Sequence, residues 1–429
     1  MTKQITAVVV GAGHRALYYA SYAKTHPSKL KIVGVCDPNE LRRNMTAKEF
    51  GFSGKFCFKS AEELAKQPKF ADVIINGTMD GDHVRTTLPL LARGYDVLLE
   101  KPISVNEEDL LLLLRAVKKY KRKVVICHVL RYAPFYQEIR KLVKNGEIGK
   151  IYNVQTTELV SYHHMGVAFV RGKWNNRKNN ICSMLMSKCC HDLDLLAWMK
   201  SGVRPAAVSS FGSNVQFKKE NAPAGSGKYC LVDCKIEGKC DYSARKHYLW
   251  HPKRWSFYVW AELEHLGKTT QKQKMEYLKK GSPFGRCVYR CDNNVVDHQS
   301  VLVEFEDGCT ATHNMIGGVA KPSRAIHLIG TKGEIQGVLE ENKFTIRHID
   351  ARPGHETSEK IVDLASISKT FDGHGGGDLR LVEDFVAVMG GKKPSISYTN
   401  IEDSINGHLI GFRADLAMET RKVVNIPEM

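Results

Sequence analysis

Two short stretches hold the residues best suited to chemistry. Lys101 lies in Glu100-Lys101-Pro102, directly after the apolar run Tyr95-Asp-Val-Leu-Leu. A lysine at the carboxyl end of a strand, facing a cofactor crevice, can hydrogen-bond a reacting hydroxyl or carbonyl oxygen and stabilise developing negative charge. Taken alone, it would read as a surface lysine in a turn. Lys188, His191 and Asp192 stand at i, i+3 and i+4 of the run from Met184 to Met199, so a helix there puts all three on one face. A lone helical histidine is usually structural. One flanked by lysine and carboxylates in a cleft is a candidate general acid or base. Ser161-Tyr-His-His164 and Phe169-Val-Arg-Gly-Lys-Trp174 follow a predicted strand with polar, aromatic and basic residues, the usual makeup of a carbohydrate or carboxylate pocket. Tyr162 and His164 join the candidate proton-handling groups. Arg131, Arg171, Trp174 and Asp192 join the candidate substrate contacts.

The elements that must position these residues alternate between strand and helix. Thr6-Ala-Val-Val-Val-Gly11-Ala-Gly13-His14-Arg15-Ala16 is an apolar strand running into G-x-G-x-x-A. Gly11 permits the tight turn, Gly13 lets a pyrophosphate approach the backbone, and Ala16 lets the following helix pack on the strand. His14 and Arg15 belong to the same cofactor-facing loop, and Glu100 stands at the crevice edge. The next strand, Lys31-Ile-Val-Gly-Val-Cys-Asp37, ends in an acid about 20 residues on, where a carboxylate can bind both ribose hydroxyls and favours NAD. Arg42 and Arg43 nearby could instead hold a 2′-phosphate. Ala71 to Asn76, Tyr95 to Glu100 and Lys123 to His128 read as further buried strands. Helices are expected at 81–93 and 108–118, the second opened by a Ser104-x-x-Glu107 capping box. Such alternation predicts a doubly wound parallel sheet.

At 429 residues the chain is long enough for two domains. With 43% hydrophobic and 25% charged residues it has a globular, not a disordered, composition. No apolar run approaches the ~18 residues of a membrane span, and the start shows no signal-peptide pattern. The expectation is a cytoplasmic protein without a membrane partner. Lysine plus arginine total 63 against 46 acids, a net charge of +17. The cations are dispersed and no nucleic-acid-binding motif accompanies them. The balance therefore reads as a solvated surface around a cationic pocket, which favours an acidic or phosphate-bearing sugar or an anionic intermediate.

Gly11-Ala-Gly13-His-Arg15-Ala16, Cys36-Asp37-Pro38, Glu100-Lys101-Pro102, His128-Val-Leu-Arg131-Tyr-Ala-Pro134 and Gly146-Glu-Ile-Gly149 occur in order. Together they resemble the Gfo/Idh/MocA family of nicotinamide-dependent oxidoreductases over nearly the whole chain. The resemblance implies an α/β protein: an N-terminal Rossmann domain, placed at 1–128, and a C-terminal α/β domain at 129–429 with a large, mostly antiparallel open sheet. It implies hydride transfer between NAD and a secondary alcohol carbon of a sugar, cyclitol or glycoside. It also implies homo-oligomers, dimers or tetramers, packed through the open sheet. Lys101 and His191 carry over as catalytic groups. His374, ahead of Gly375-Gly-Gly377, would approach substrate. Family members carry an aspartate four residues before the histidine, whereas this chain has Ser187; Lys188, His164 or Tyr162 would supply the missing proton relay. Some relatives are NAD-dependent glycosidases that oxidise C3, eliminate the aglycone and re-reduce the sugar, an alternative that extra bases suit. A nicotinamide-binding sensor is the non-enzymatic alternative, and intact Lys101 and His191 argue against it.

Residues 213–293 read as an insertion into this pattern. It holds Cys230-x3-Cys234-x5-Cys240 and Cys287-x3-Cys291, in a charged segment of weak periodicity. Twelve cysteines without a secretion signal suggest reduced thiols. Cys230, Cys234 and Cys240, with Cys291, Cys287 or His247 as fourth ligand, are candidate ligands of a structural zinc replacing a core this segment seems unable to build. Free buried thiols are the alternative. Trp250, Trp255, Phe257, Tyr258 and Trp260 in the same segment could cover the substrate pocket or pack on the sheet.

Overall fold

A computed structural model describes residues 3–180, 182–251, 254–365 and 374–428. Six parallel strands build the first sheet: β1 (Ile5–Val10), β2 (Leu30–Cys36), β3 (Cys57–Phe58), β4 (Val73–Asn76), β5 (Asp96–Leu99) and β6 (Val124–Ile126). Their spatial order is β3-β2-β1-β4-β5-β6, so the winding reverses between β1 and β4 and opens a crevice at the strands' carboxyl ends. β4 is buried at every position because helices cover both faces, which explains its uninterrupted Val-Ile-Ile run. The helix Glu107–Tyr120 is capped by Asn106 and not by Ser104. The Asn106 side chain accepts from the Asp109 amide at 2.8 Å, while the Ser104 hydroxyl is turned to the Asn106 carbonyl.

The second sheet has nine strands: β7 (Ile151–Ser161), β8 (Pro205–Ser213), β9 (His298–Phe305), β10 (Thr310–Val319), β11 (Ser323–Gly330), β12 (Gly333–Val338), β13 (Lys343–Ile349), β14 (Thr357–Asp363) and β15 (Val424–Asn425). The order is β14-β13-β12-β11-β7-β10-β9-β8-β15, antiparallel throughout except where β7 meets β10. The helices Met184–Met199 and Ile401–Thr420 pack on one face. β9 alternates buried and exposed residues, so among the described residues the other face is left uncovered.

Late segments return to the first sheet. The helix Gly377–Met389 places Leu381, Val382, Phe385 and Val386 in one apolar cluster with Val9, Ala16 and Tyr19. Thr399 hydrogen-bonds both the Ile126 amide and its carbonyl. The crevice is thus walled by residues far apart in sequence. The segment between β8 and β9 is a series of short turns and helices, the longest being Gln271–Lys279 with a Thr270/Gln273 capping box. It does bury apolar residues: Phe217, Tyr242, Tyr248, Val259, Leu278 and Val288 join the main core instead of forming a separate one. Among the described residues no helix is long and apolar enough to cross a membrane.

Candidate active site

The glycine loop has the geometry its sequence demands. Gly11 sits at φ 75°, and a Cβ there would lie 2.7 Å from the Thr78 backbone nitrogen. A Cβ on Gly13 would meet nothing within 4 Å, so the backbone faces open cleft where a pyrophosphate could approach. Ala16 packs so closely on Gly77 that any side chain at 77 would strike the Ala16 methyl at 2.8 Å. At the end of β2, the Asp37 carboxylate accepts from the Ala12 and Asn39 amides, both at 2.8 Å, which fixes it beside the loop. Each oxygen keeps a lone pair for a ribose hydroxyl. The two nearby arginines are occupied. Arg43 donates to the Asp37 and Pro38 carbonyls, and Arg42 donates to Glu264 at 2.8 Å.

A cleft of about 410 Å³ runs from Asp37 across the glycine loop to Lys101 and His191. The Lys101 ammonium donates to the Ser187 carbonyl at 2.9 Å. The ammonium thus meets a backbone oxygen at this position, and the Ser187 hydroxyl is turned away to Ser183. Burial works against the charge on Lys101, but Cys190, Glu100 and Asp80 outweigh it and hold the ammonium above the ordinary lysine value. Glu100 is gripped by Arg15 (2.9 Å) and Tyr19 (2.8 Å). Arg15 reaches on to Asp378 (2.5 Å), which accepts from His374 at 3.1 Å. Burial opposes the Asp378 charge, yet His374 and Arg15 push its carboxyl down to about 2. These links tie the glycine loop, the strand end and the returning helix into one rigid wall.

His191 lies at the floor of the cleft, with ring centroids 5.4 Å from His374 and 5.8 Å from His128. Neither of its nitrogens has a hydrogen-bond partner. Burial, reinforced by the charge on Lys101, lowers its pKa well below the usual histidine value. A neutral imidazole with a free lone pair can accept a proton. Beside it, Lys188 pairs with Glu158 at 2.8 Å, and Arg324 pairs with Glu158 at 2.6 Å and with Asp192 at 3.1 Å. Lys188 and Arg324 line the cleft, with both carboxylates behind them. The expected cationic pocket is thus largely neutralised, since these pairings offset the desolvation cost of burying the charges.

The segment between β8 and β9, expected from the sequence to be an insertion, supplies the outer wall. Trp255 stacks on His164, centroids 4.1 Å apart, and Phe257 stacks on His14 at 4.6 Å. Trp174 donates to Asp80 at 2.9 Å. Trp255, Phe257 and Tyr258 all line the cleft, whereas Trp250 is 67% exposed and Trp260 sits against Tyr277.

Several expected site residues lie elsewhere. Tyr162 packs edge-on against Tyr242 and His247 and does not line the cleft. Arg131 is fully buried and bound to Asp194 (2.6 Å) and Asp403 (2.8 Å), joining segments and not meeting substrate. Arg171 is buried among the insertion's own groups, donating to the Tyr242 and Arg286 carbonyls at 2.7 Å each. Asp192 supports Arg324 from behind. The insertion cysteines are not drawn into a tight ligand set. Among the described residues, the trio of metal-capable side chains whose ligand atoms lie within 4.8 Å of one another is Cys189, Asp192 and His313. Cys291 donates to the Cys287 carbonyl at 3.3 Å. Sequence reasoning missed Arg324, Glu158, Asp80 and Glu264. Only Glu158 left a signal: it shares the inward face of β7 with Val154, Thr156 and Val160, and a carboxylate there must serve a buried cation.

A dinucleotide cradle and a strand-end lysine in one cleft define an oxidoreductase built on a Rossmann sheet. The Gfo/Idh/MocA oxidoreductase family, NAD-binding Rossmann fold, matches residues 5–128, and that family's C-terminal alpha/beta domain matches residues 140–426. The chain belongs to this family and is an NAD-dependent dehydrogenase. It is 25% identical to YteT of Bacillus subtilis (strain 168) over 365 residues, 80% of each chain. It is 29% identical to scyllo-inositol 2-dehydrogenase (NAD(+)) of the same organism over 153 residues, 35% of this chain and 43% of that one. A solved structure of levoglucosan dehydrogenase in complex with NADH has the same fold, with TM-score 0.71 at 15% identity, covering 99% of this chain and 100% of that one.

Proposed function

We propose that the protein interconverts a secondary alcohol and a ketone on a sugar- or cyclitol-like substrate, with NAD as hydride carrier. The observation that carries this reading is the pairing, in one cleft, of an ammonium at the strand end (Lys101) with a neutral, unpartnered imidazole (His191). Bound NAD+ supplies the hydride acceptor. The glycine loop and Asp37 hold its pyrophosphate and ribose. Lys101 donates a hydrogen bond to the reacting oxygen and stabilises the negative charge that grows as the hydroxyl proton leaves. His191 accepts that proton. Lys188 and Arg324, held by Glu158 and Asp192, offer donors to neighbouring hydroxyls. The stacked His164–Trp255 pair gives an apolar surface on which a sugar face can rest. His374, oriented by Asp378, backs His191.

The names of scyllo-inositol 2-dehydrogenase and levoglucosan dehydrogenase support a cyclic polyol as substrate class. NAD fits better than NADP because Glu264 occupies Arg42 and Asp37 would repel a 2′-phosphate. Hydrolysis through transient oxidation gains no support, since Tyr162, one of the extra bases it needed, lies outside the cleft. The test is NADH formation, followed optically, with a panel of inositols, aldoses, anhydrosugars and glycosides. NADH appearing stoichiometrically with a keto product supports the reading. Release of an aglycone without net NADH overturns it.

A further inference from the structure

Arg171 is a buried cation without a counter-ion. It is 3% exposed, and every group it touches is neutral: the Arg286 and Tyr242 carbonyls, the Tyr248 hydroxyl (3.0 Å) and the Cys230 sulfur (3.3 Å). No carboxylate of the described residues forms an ion pair with it, whereas Arg131 and Arg324 each have one. Glu237, which lines the same small void as Arg171, is taken by Arg245 and Ser243. These neutral acceptors leave the guanidinium charge uncompensated, and an anionic group beside it would offset the cost of its burial.

The same guanidinium borders a small void of about 10 Å³, whose wall includes Cys230, Cys234, Cys240 and Cys287. Such a space admits about one water-sized body. The sulfurs come from two separate stretches, and the backbone supports them. The Tyr242 amide donates to the Cys240 sulfur at 3.4 Å, and the Cys230 amide and the Cys287 amide are held across the turn by Gly285 and Lys228. Cys291 and His247 do not border the void; His247 is committed to the Asp241 carbonyl and to Arg254.

We propose that Cys230, Cys234, Cys240 and Cys287 hold a thiophilic metal centre through their thiolates, with Arg171 as its buried counter-charge. A dication bound by four thiolates carries a net charge of −2, the four thiol protons passing to solvent, and the guanidinium offsets half of it. No three of these sulfurs lie within 4.8 Å of one another, so a single zinc ion would draw them inward, while an iron–sulfur cluster, larger than this void, would push its wall outward. The shared chemistry is thiolate ligation. The compact Cys189–Asp192–His313 trio is the poorer site, because Asp192 already neutralises Arg324. The centre would lock the segment that delivers Trp255 and Phe257 to the cleft.

The full-length chain, purified without chelator, is analysed for metals and by visible absorbance. About one zinc per chain, or iron with inorganic sulfide and absorbance near the visible–ultraviolet edge, supports the proposal and tells the two centres apart. Cys234→Ser is expected to lose the metal and Cys291→Ser to keep it. Because Cys234→Ser could simply misfold, metal release from the wild-type chain by a mercurial is followed alongside circular dichroism. Release in step with modification of the insertion thiols is expected. A folded chain without stoichiometric metal, or one in which Cys234→Ser retains it, overturns the proposal; so does a disulfide between any of these cysteines.

Discussion

Cofactor choice follows from two carboxylates at one end of the cleft, and the substitution Asp37→Ala probes it. The Asp37 carboxylate is buried and held by two backbone amides, so it cannot swing away from a ribose. Hydrogen bonds from ribose hydroxyls to a charged acceptor contribute about 1.5–3 kcal/mol, so removing it should weaken NADH roughly ten- to hundredfold. A 2′-phosphate about 4 Å from the same carboxylate would be repelled by about 4 kcal/mol per unit charge at an effective dielectric of about 20, an upper figure for a site open to water. The wild-type chain should therefore bind NADH far more tightly than NADPH. Asp37→Ala should narrow that ratio by at least about tenfold, because it removes the favourable and the repulsive effect together. Glu264→Gln, which frees Arg42, should add only a few-fold for NADPH, since both partners are about one-third exposed. Titration calorimetry with both reduced cofactors reads the ratio directly. Loss of the Ala12 and Asn39 bonds would loosen the loop and weaken both cofactors alike, so the ratio and not the affinity is decisive. Equal wild-type affinity for the two cofactors, or an unchanged ratio in Asp37→Ala, refutes the reasoning.

Other consequences are open to test. Burial lowers the pKa of His313 to about 4 and of His408 to about 3, against about 6.5 unfolded. Both are held neutral when folded, so their contribution is present above pH 6.5 and lost as pH falls toward the folded values. At pH 5 the loss is about 2 kcal/mol for each. Thermal melts should fall clearly between pH 7 and pH 5, and melts independent of pH there would contradict the burial of these rings. Phe211, Leu302 and Ile316 share the uncovered face of the second sheet by register and are 63%, 49% and 40% exposed. Light scattering should find dimers or tetramers, and Leu302→Lys should shift them toward monomer. A monomer at all concentrations would show that solvent covers this face.

The cofactor half of the cleft was legible in the sequence because local backbone geometry specifies it. Gly11, Gly13, Ala16 and Asp37 each answer a constraint of turn, close approach or strand end, which spacing alone reports. Lys101 and His191 were legible for a related reason: one ends a strand, the other sits on a long helix. The substrate side was not. Arg131 and Arg171 look like anion binders in a linear reading, but their partners, Asp194 and Asp403 for one and the insertion's carbonyls for the other, lie far along the chain. Arg324 and Glu264 reach the cleft only because a hairpin and the insertion fold back over it. Chain order gives no hint of such closure. The charge of +17 likewise misled, since Lys101, Lys188 and Arg324 at the cleft are already engaged by a carboxylate or a carbonyl.

The central claim is that Lys101 polarises an alcohol oxygen for hydride transfer to NAD. It is tested most directly by comparing the wild-type chain and Lys101→Met for NADH formation with whichever polyol of the panel reacts. The substitution keeps an unbranched side chain one atom shorter and removes the donor together with its charge. The account predicts a fall in kcat of about 10²- to 10³-fold, with NADH binding little changed. A variant that turns over within a few-fold of wild type would contradict it.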